Sequence, residues 1–202
     1  MLLAIPMISK YPSVKPFPPR VGLRRLRSLQ AMGLRDIGLP ATAREQAGFT
    51  SLMMAARYGT PSVVKALVSD GADTEARDRL FGRTALMWAI SSRNSACFRS
   101  LIACRADIDA RDFWGRTALW WASYQQHPQM VKFLLAKGAN VNNSNSHGIT
   151  ALMTAARLGD PDTVQVLVEH GAGQHIRDDE GRTARDWAIM WNRKKVAALL
   201  RK

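Results

Sequence analysis

A chain of 202 residues with 29 Lys+Arg against 16 Asp+Glu carries a formal net charge of +13, and 47% of it is hydrophobic. That composition builds a core and excludes a wholly disordered chain, while no apolar run approaches the roughly 20 residues of a helical bilayer span. Two cysteines exclude a disulfide scaffold. Arg outnumbers Lys by 21 to 8, which favours planar, bidentate contacts with carboxylate or phosphate over point-charge contacts.

The first 35 residues contain no acid. Met1–Ile8 is apolar with no positive charge ahead of it, which argues against a secretory signal. Pro12, Pro16, Pro18 and Pro19 interrupt any helix, so residues 1–20 read as a basic, proline-rich tail. An organellar targeting segment and a polyproline docking motif are the other two readings of this stretch. From residue 21 a basic helix is predicted, with Leu23, Leu26, Leu29 and Leu34 as its apolar positions.

Glycines at 48, 82, 115, 148 and 181 then recur at spacings of 34, 33, 33 and 33 residues. Each opens one phrase, as in Gly82-Arg-Thr-Ala-Leu-Met-Trp-Ala and Gly115-Arg-Thr-Ala-Leu-Trp-Trp-Ala. A second phrase follows 23 residues on, at Gly71-Ala-Asp, Arg105-Ala-Asp, Gly138-Ala-Asn and Gly171-Ala-Gly. Thr50, Thr84, Thr117, Thr150 and Thr183 stand where a first helix needs an N-cap hydroxyl, and Leu then Ala behind them, as at Leu86 and Ala89, mark its buried stripe. Pro61, Pro128 and Pro161 open second helices, with Thr60 and Asp160 as predicted caps. Pairs such as Val64/Leu67, Phe98/Leu101, Val131/Leu134 and Val164/Leu167 are expected to be buried, and Gly71, Gly138 and Gly171 to close those helices in left-handed conformation.

A unit of about 33 residues cannot bury both helices alone, so stability belongs to the stack. Period and phrase resemble the ankyrin repeat, over residues 48–202. The resemblance implies an all-α, ankyrin-type solenoid of helix–turn–helix repeats with loop fingers: repeats 48–81, 82–114, 115–147 and 148–180, and a C-terminal capping repeat 181–202. Residues 21–47 read as a degenerate N-terminal capping half-repeat, because Ala43-Arg44-Glu45 ahead of Gly48 echoes Ala76-Arg77-Asp78 ahead of Gly82. The usual Thr-Pro-Leu-His is altered: Met53, Met87, Trp120, Met153 and Asp186 replace the His, so bulky apolar packing is expected in place of Thr–His hydrogen bonding. Arg93 and Arg105 replace glycines of repeat two, which is therefore expected to be the weakest. Arg185 and the basic last helix suggest a wet outer face for the cap.

No catalytic motif is present, and none of the four histidines has a partner pair at zinc-ligand spacing, so no enzyme activity, cofactor or metal is expected. Cys97 and Cys104 fall about 10 Å apart on one helix and cannot bridge each other. Asp73, Asp78, Asp107, Asp109, Asp112 and Asp178 recur with the repeat and read as loop residues.

In proteins that this sequence resembles, loop tips and the far face of the first helix form a concave recognition surface. Carried over, that surface takes Phe49, Phe81, Arg83, Phe113, Trp114 and Arg116 from the tips, with Leu80, His147, Ile149 and Arg182. Arg57, Tyr58, Tyr124 and Arg157 come from the helices, with Leu158 and Trp191. The row Met54, Trp88, Trp121 and Trp187 reads as packing. Aromatic and Arg residues are those enriched at binding hot spots. The resemblance implies a non-enzymatic protein–protein interaction module or adaptor, and the charge adds an acidic, partly apolar partner. The alternatives are a basic surface for nucleic acid or anionic membrane, which no motif supports, and a regulatory inhibitor of a partner enzyme. A monomer in the cytoplasm is expected, with mitochondrial import the alternative that the N-terminus raises.

Overall fold

The computed structural model describes residues 48–200; the expectations for residues 1–20 and 21–47 lie outside them. Each repeat contributes two helices: α1 (Ser51–Tyr58) and α2 (Pro61–Ser69), α3 (Ala85–Ser91) and α4 (Ser95–Ala103), α5 (Ala118–Tyr124) and α6 (Pro128–Ala136), α7 (Ala151–Leu158) and α8 (Pro161–Glu169), α9 (Ala184–Met190) and α10 (Lys194–Leu199). The threonines start the first helix every time. Thr50, Thr117, Thr150 and Thr183 accept the amide three residues on, which satisfies one of the orphan donors of the helix start. Thr84 is also at the N-cap but makes no such bond. Asn94 and Asp160 cap α4 and α8. Thr60, expected to cap α2, makes no cap bond and instead pairs its hydroxyl with Ser62 at 2.8 Å.

First helices pack against first helices along the array, and second helices form the layer behind them. Leu52, Leu86, Leu119 and Leu152, with Ala55, Ala89, Ala122 and Ala155, are buried between them, as the stripe predicts. Met53, Met87, Trp120 and Met153 are buried too, so apolar packing does replace the missing histidines. Asp186 does something else: it completes a capping box with Thr183. Among the second-helix pairs, Leu67 is only half-buried, whereas the others are buried. Second helices α4 and α6 approach each other least closely. The bulky side chains between them account for that: Phe98 meets Phe133 edge-on, with ring centroids 5.5 Å apart.

Loop fingers project between repeats and bond to one another. Phe113 N–H donates to the Phe81 carbonyl (3.1 Å), Ser146 N–H to Trp114 (2.9 Å) and Asp179 N–H to His147 (3.2 Å), one register step per repeat. Phe113 lays its ring over Gly82, where any β-carbon would collide with it.

Two expectations need correction. Arg93 is left-handed (φ 57°), but Gln126 (φ 52°) and Asn192 (φ 55°) hold the same conformation at the matching place, so Arg93 does not set repeat two apart. Arg105 (φ 61°) does, because its counterparts Gly71, Gly138 and Gly171 are glycines at φ 83–89°. A side chain in that region costs about 1–2 kcal/mol, partly offset by the greater freedom that glycine gives the unfolded chain. Arg105→Gly is therefore expected to raise the melting temperature by about 2–4 °C, on the scale of several degrees per kcal/mol. An unchanged or lower melting temperature would mean that Arg105 contributes contacts that repay its strain. The second correction concerns the last repeat, where Ile189, Met190, Trp191 and Leu199 are all about half exposed. The outer face is mixed, not wholly wet.

Candidate functional site

The first-helix layer and the finger stems share one construction. At the junctions into repeats three and five an aspartate lies under the finger, and a tryptophan points up from the helix that follows. Asp112 is buried, and its Oδ1 accepts the amides of Trp114 and Arg116 (both 2.9 Å). Its Oδ2 accepts the Trp121 indole N–H at 3.2 Å and the Arg116 Nε at 2.8 Å. Asp178 does the same with Glu180, Arg182 and Trp187. Burial pushes the Asp178 carboxyl up, but the bonds from Arg182 and Trp187 outweigh it and hold the group below its ordinary range. The junction into repeat four has Asn145 in place of the acid and Thr154 in place of the indole. Asn145 still accepts the amides of His147 and Ile149 (both 2.9 Å), and Thr154 bonds back to the Thr150 carbonyl.

The junction into repeat two departs from this scheme by one residue. Its loop from aspartate to glycine is longer, which is the origin of the 34-residue first spacing. Asp78 Oδ1 accepts the amides of Leu80 and Phe81, and Oδ2 those of Arg83 and the Trp88 indole. The Arg83 guanidinium is left out of the lock. It lies instead on the Trp121 ring, with Cζ 3.8 Å from the centroid, and within 5 Å of Phe81 and Trp88.

The result is a continuous run of rings and guanidinium groups over repeats one to three. Arg57 lies over Tyr58 (4.6 Å) and Trp88 (5.4 Å), and Phe49 packs on Trp88 with centroids 5.0 Å apart. Arg116 lies over Trp114 and Trp121 (both 4.4 Å), and Tyr124 stacks on Trp120 at 5.3 Å with the planes 8° apart. Phe81 joins the repeats, at 6.3 Å from Trp88 and 6.0 Å from Trp114. Such contacts contribute about 0.5–2 kcal/mol each, more as water is excluded. Desolvation by burial lowers the pKa of Arg57, Arg83 and Arg116 alike. For Arg83, burial first and then repulsion from Arg116 push it down to about 10, so the group stays charged at neutral pH.

A family model for ankyrin repeats (three copies) matches residues 52–145 and 137–202. The chain belongs to the ankyrin-repeat family. No curated protein matches the sequence. Ankyrin repeats are in general protein–protein interaction modules, and no helix among the described residues is long and apolar enough to cross a membrane.

Within this ankyrin array, most of the expected surface residues do come together. Phe49, Arg57, Tyr58, Phe81, Trp114, Arg116 and Tyr124 are half-buried members of the run. Phe113, 60% exposed, and Leu80, 48% exposed, stand at the finger tips. Arg157 lies apart, over Trp191 at 5.8 Å near the far end. Two residues expected at exposed tips are buried. Ile149 packs under its own finger, and Arg83 keeps only 5% of its surface, because the longer loop turns it inward onto Trp121. Trp88, Trp121 and Trp187 are core residues as expected, while Met54 is half-buried. The aspartate–indole bonds were missed, although Asp112/Trp121 and Asp178/Trp187 share a spacing of 9 residues that would have flagged them.

Proposed function

We propose that the surface of repeats one to three, from Phe49 to Tyr124, docks an acidic, partly apolar protein partner, and that the array works as an adaptor without catalysis. The half-buried rings interleaved with three arginines carry this reading. Aromatic and Arg side chains set in a packed surround are the usual anchors of an interface. An excess of guanidinium over carboxylate in the run selects a partner of opposite charge. Two unbridged cysteines, Cys97 and Cys104, fit a reducing intracellular setting.

The test is capture of partners by the full chain, then calorimetry on variants with a thermal melt for each. Phe81→Ala and Trp114→Ala are each expected to weaken binding at least about tenfold, in line with hot-spot truncation, with the fold retained. Phe113→Ala should do less, since the ring is mostly in water. Full affinity in all three variants would move the interface elsewhere. Binding to any polyanion with a steep salt dependence would favour nucleic acid or membrane instead.

A further inference from the structure

Three arginines follow the opening glycine of their repeats, at Arg83, Arg116 and Arg182, and two of them are structural. Arg116 and Arg182 each give Nε to the aspartate four residues back, at 2.8 and 2.9 Å. The one-residue insertion in repeat two sets Asp78 five residues back, and all four bonds its carboxylate accepts come from amides and the Trp88 indole. Asp112, the other nearby acid, is occupied by its own loop, Arg116 and Trp121. The Arg83 guanidinium therefore sits among three rings, and among the described residues no carboxylate bonds it and its buried Nε has no acceptor. A charged group held this way leaves its donors open and costs free energy in the unbound protein.

We propose that Arg83 is the carboxylate-reading centre of the surface: an Asp or Glu side chain of an extended partner segment takes the edge of its guanidinium, between Phe81 and Trp121. Three rings within 5 Å of Cζ hold the group in place. A carboxylate needs only the edge, where two parallel N–H donors match its two oxygens. Small remaining exposure is thus a filter: a carboxylate on a side chain reaches in, while a bulky anion does not. Arg57 and Arg116 add positive potential, both close enough to lower the pKa of Arg83. The insertion that removes Arg83 from the structural lock is what makes it available. This inference rests on the docking reading above and adds the chemical group that is read.

A random twelve-residue peptide library displayed on phage, selected on the full chain, supplies the probes. Synthetic copies of the selected peptides are measured by calorimetry against wild type, Arg83→Met and Arg83→Lys. The expected peptides share one acid flanked by apolar residues. Changing that acid to its amide, or Arg83 to Met, is expected to cost at least about thirtyfold each, with the double change costing no more than either single one. Arg83→Lys, which keeps the charge and loses the fork, should cost about tenfold, and it serves alone if Arg83→Met does not fold. Additive losses, wild-type affinity in Arg83→Met, or selected peptides without an acid would overturn the assignment. Inorganic phosphate competing better than acetate would also overturn it, in favour of a phosphoryl group. An empty selection would count against the docking surface itself. The subsite is then decided by titration with glutarate: shifts of the Trp88 and Trp121 indole N–H resonances in wild type but not in Arg83→Met support it, and their absence sinks it.

Discussion

Asp112→Ala is expected to lower the stability of the array by about 4 kcal/mol, the scale for breaking a buried charge pair and orphaning its partners. The carboxylate accepts four bonds, from two loop amides, the Trp121 indole and the Arg116 Nε. No water-exposed group replaces it at the base of the finger. Each buried donor left unpaired costs about 1–3 kcal/mol, so partial relaxation still leaves a large loss. Repeat four shows what a tolerated replacement requires. There Asn145 replaces the acid and Thr154, bonded to the Thr150 carbonyl, replaces the indole, so the acid and the indole change together. Asp112→Asn is therefore expected to cost more in the wild-type chain than in the Trp121→Thr background, leaving a coupling of about 1–3 kcal/mol in a double-mutant cycle. Urea melts of the four proteins measure it. Strict additivity would mean that the indole bond carries no weight and that the two residues merely share a neighbourhood.

The period, the caps, the left-handed glycines and the buried stripe were legible because each follows a local rule. A threonine three residues ahead of the amide it accepts, or a glycine at the end of a helix, is fixed by backbone geometry within one turn. The Asp112–Trp121 bond is not of that kind. Its partners sit in a loop and on the next helix, and only the fold brings them within reach. Arg83 shows a sharper limit. The phrase Gly-Arg-Thr is identical in repeats two, three and five, so residue type and local pattern give one reading for Arg83, Arg116 and Arg182. Loop length separates them, and it was visible only as a spacing of 34 in place of 33. The half-exposed apolar groups on α9 and α10 were hidden for a related reason: Ile189, Met190, Trp191 and Leu199 have the residue types of ordinary core positions, and only the fold shows which of them lie at the surface.

The Trp88→Ala variant should lose about 4–5 kcal/mol, at the upper end for deleting a buried aromatic side chain. Trp88 is fully buried and belongs to both the core and the run of rings. Phe49 and Phe81 rest on it, Arg57 and Arg83 lie over it, and its indole N–H holds Asp78. A loss that size is a large share of the 5–15 kcal/mol that usually separates folded from unfolded domains. Repeats touch only their neighbours, however, so the damage should stay regional. Hydrogen exchange is expected to show α1 to α4 losing protection while α7 to α10 keep most of theirs. Trp88→Phe refills part of the volume and keeps a ring under Arg83, but it removes one of the two bonds to Asp78 Oδ2, so it should recover only part of the stability. Uniform loss of protection along the whole chain in Trp88→Ala would show one cooperative unit instead of a divisible stack. Loss confined to the finger at residues 78–84 would show that the indole serves the loop and not the core.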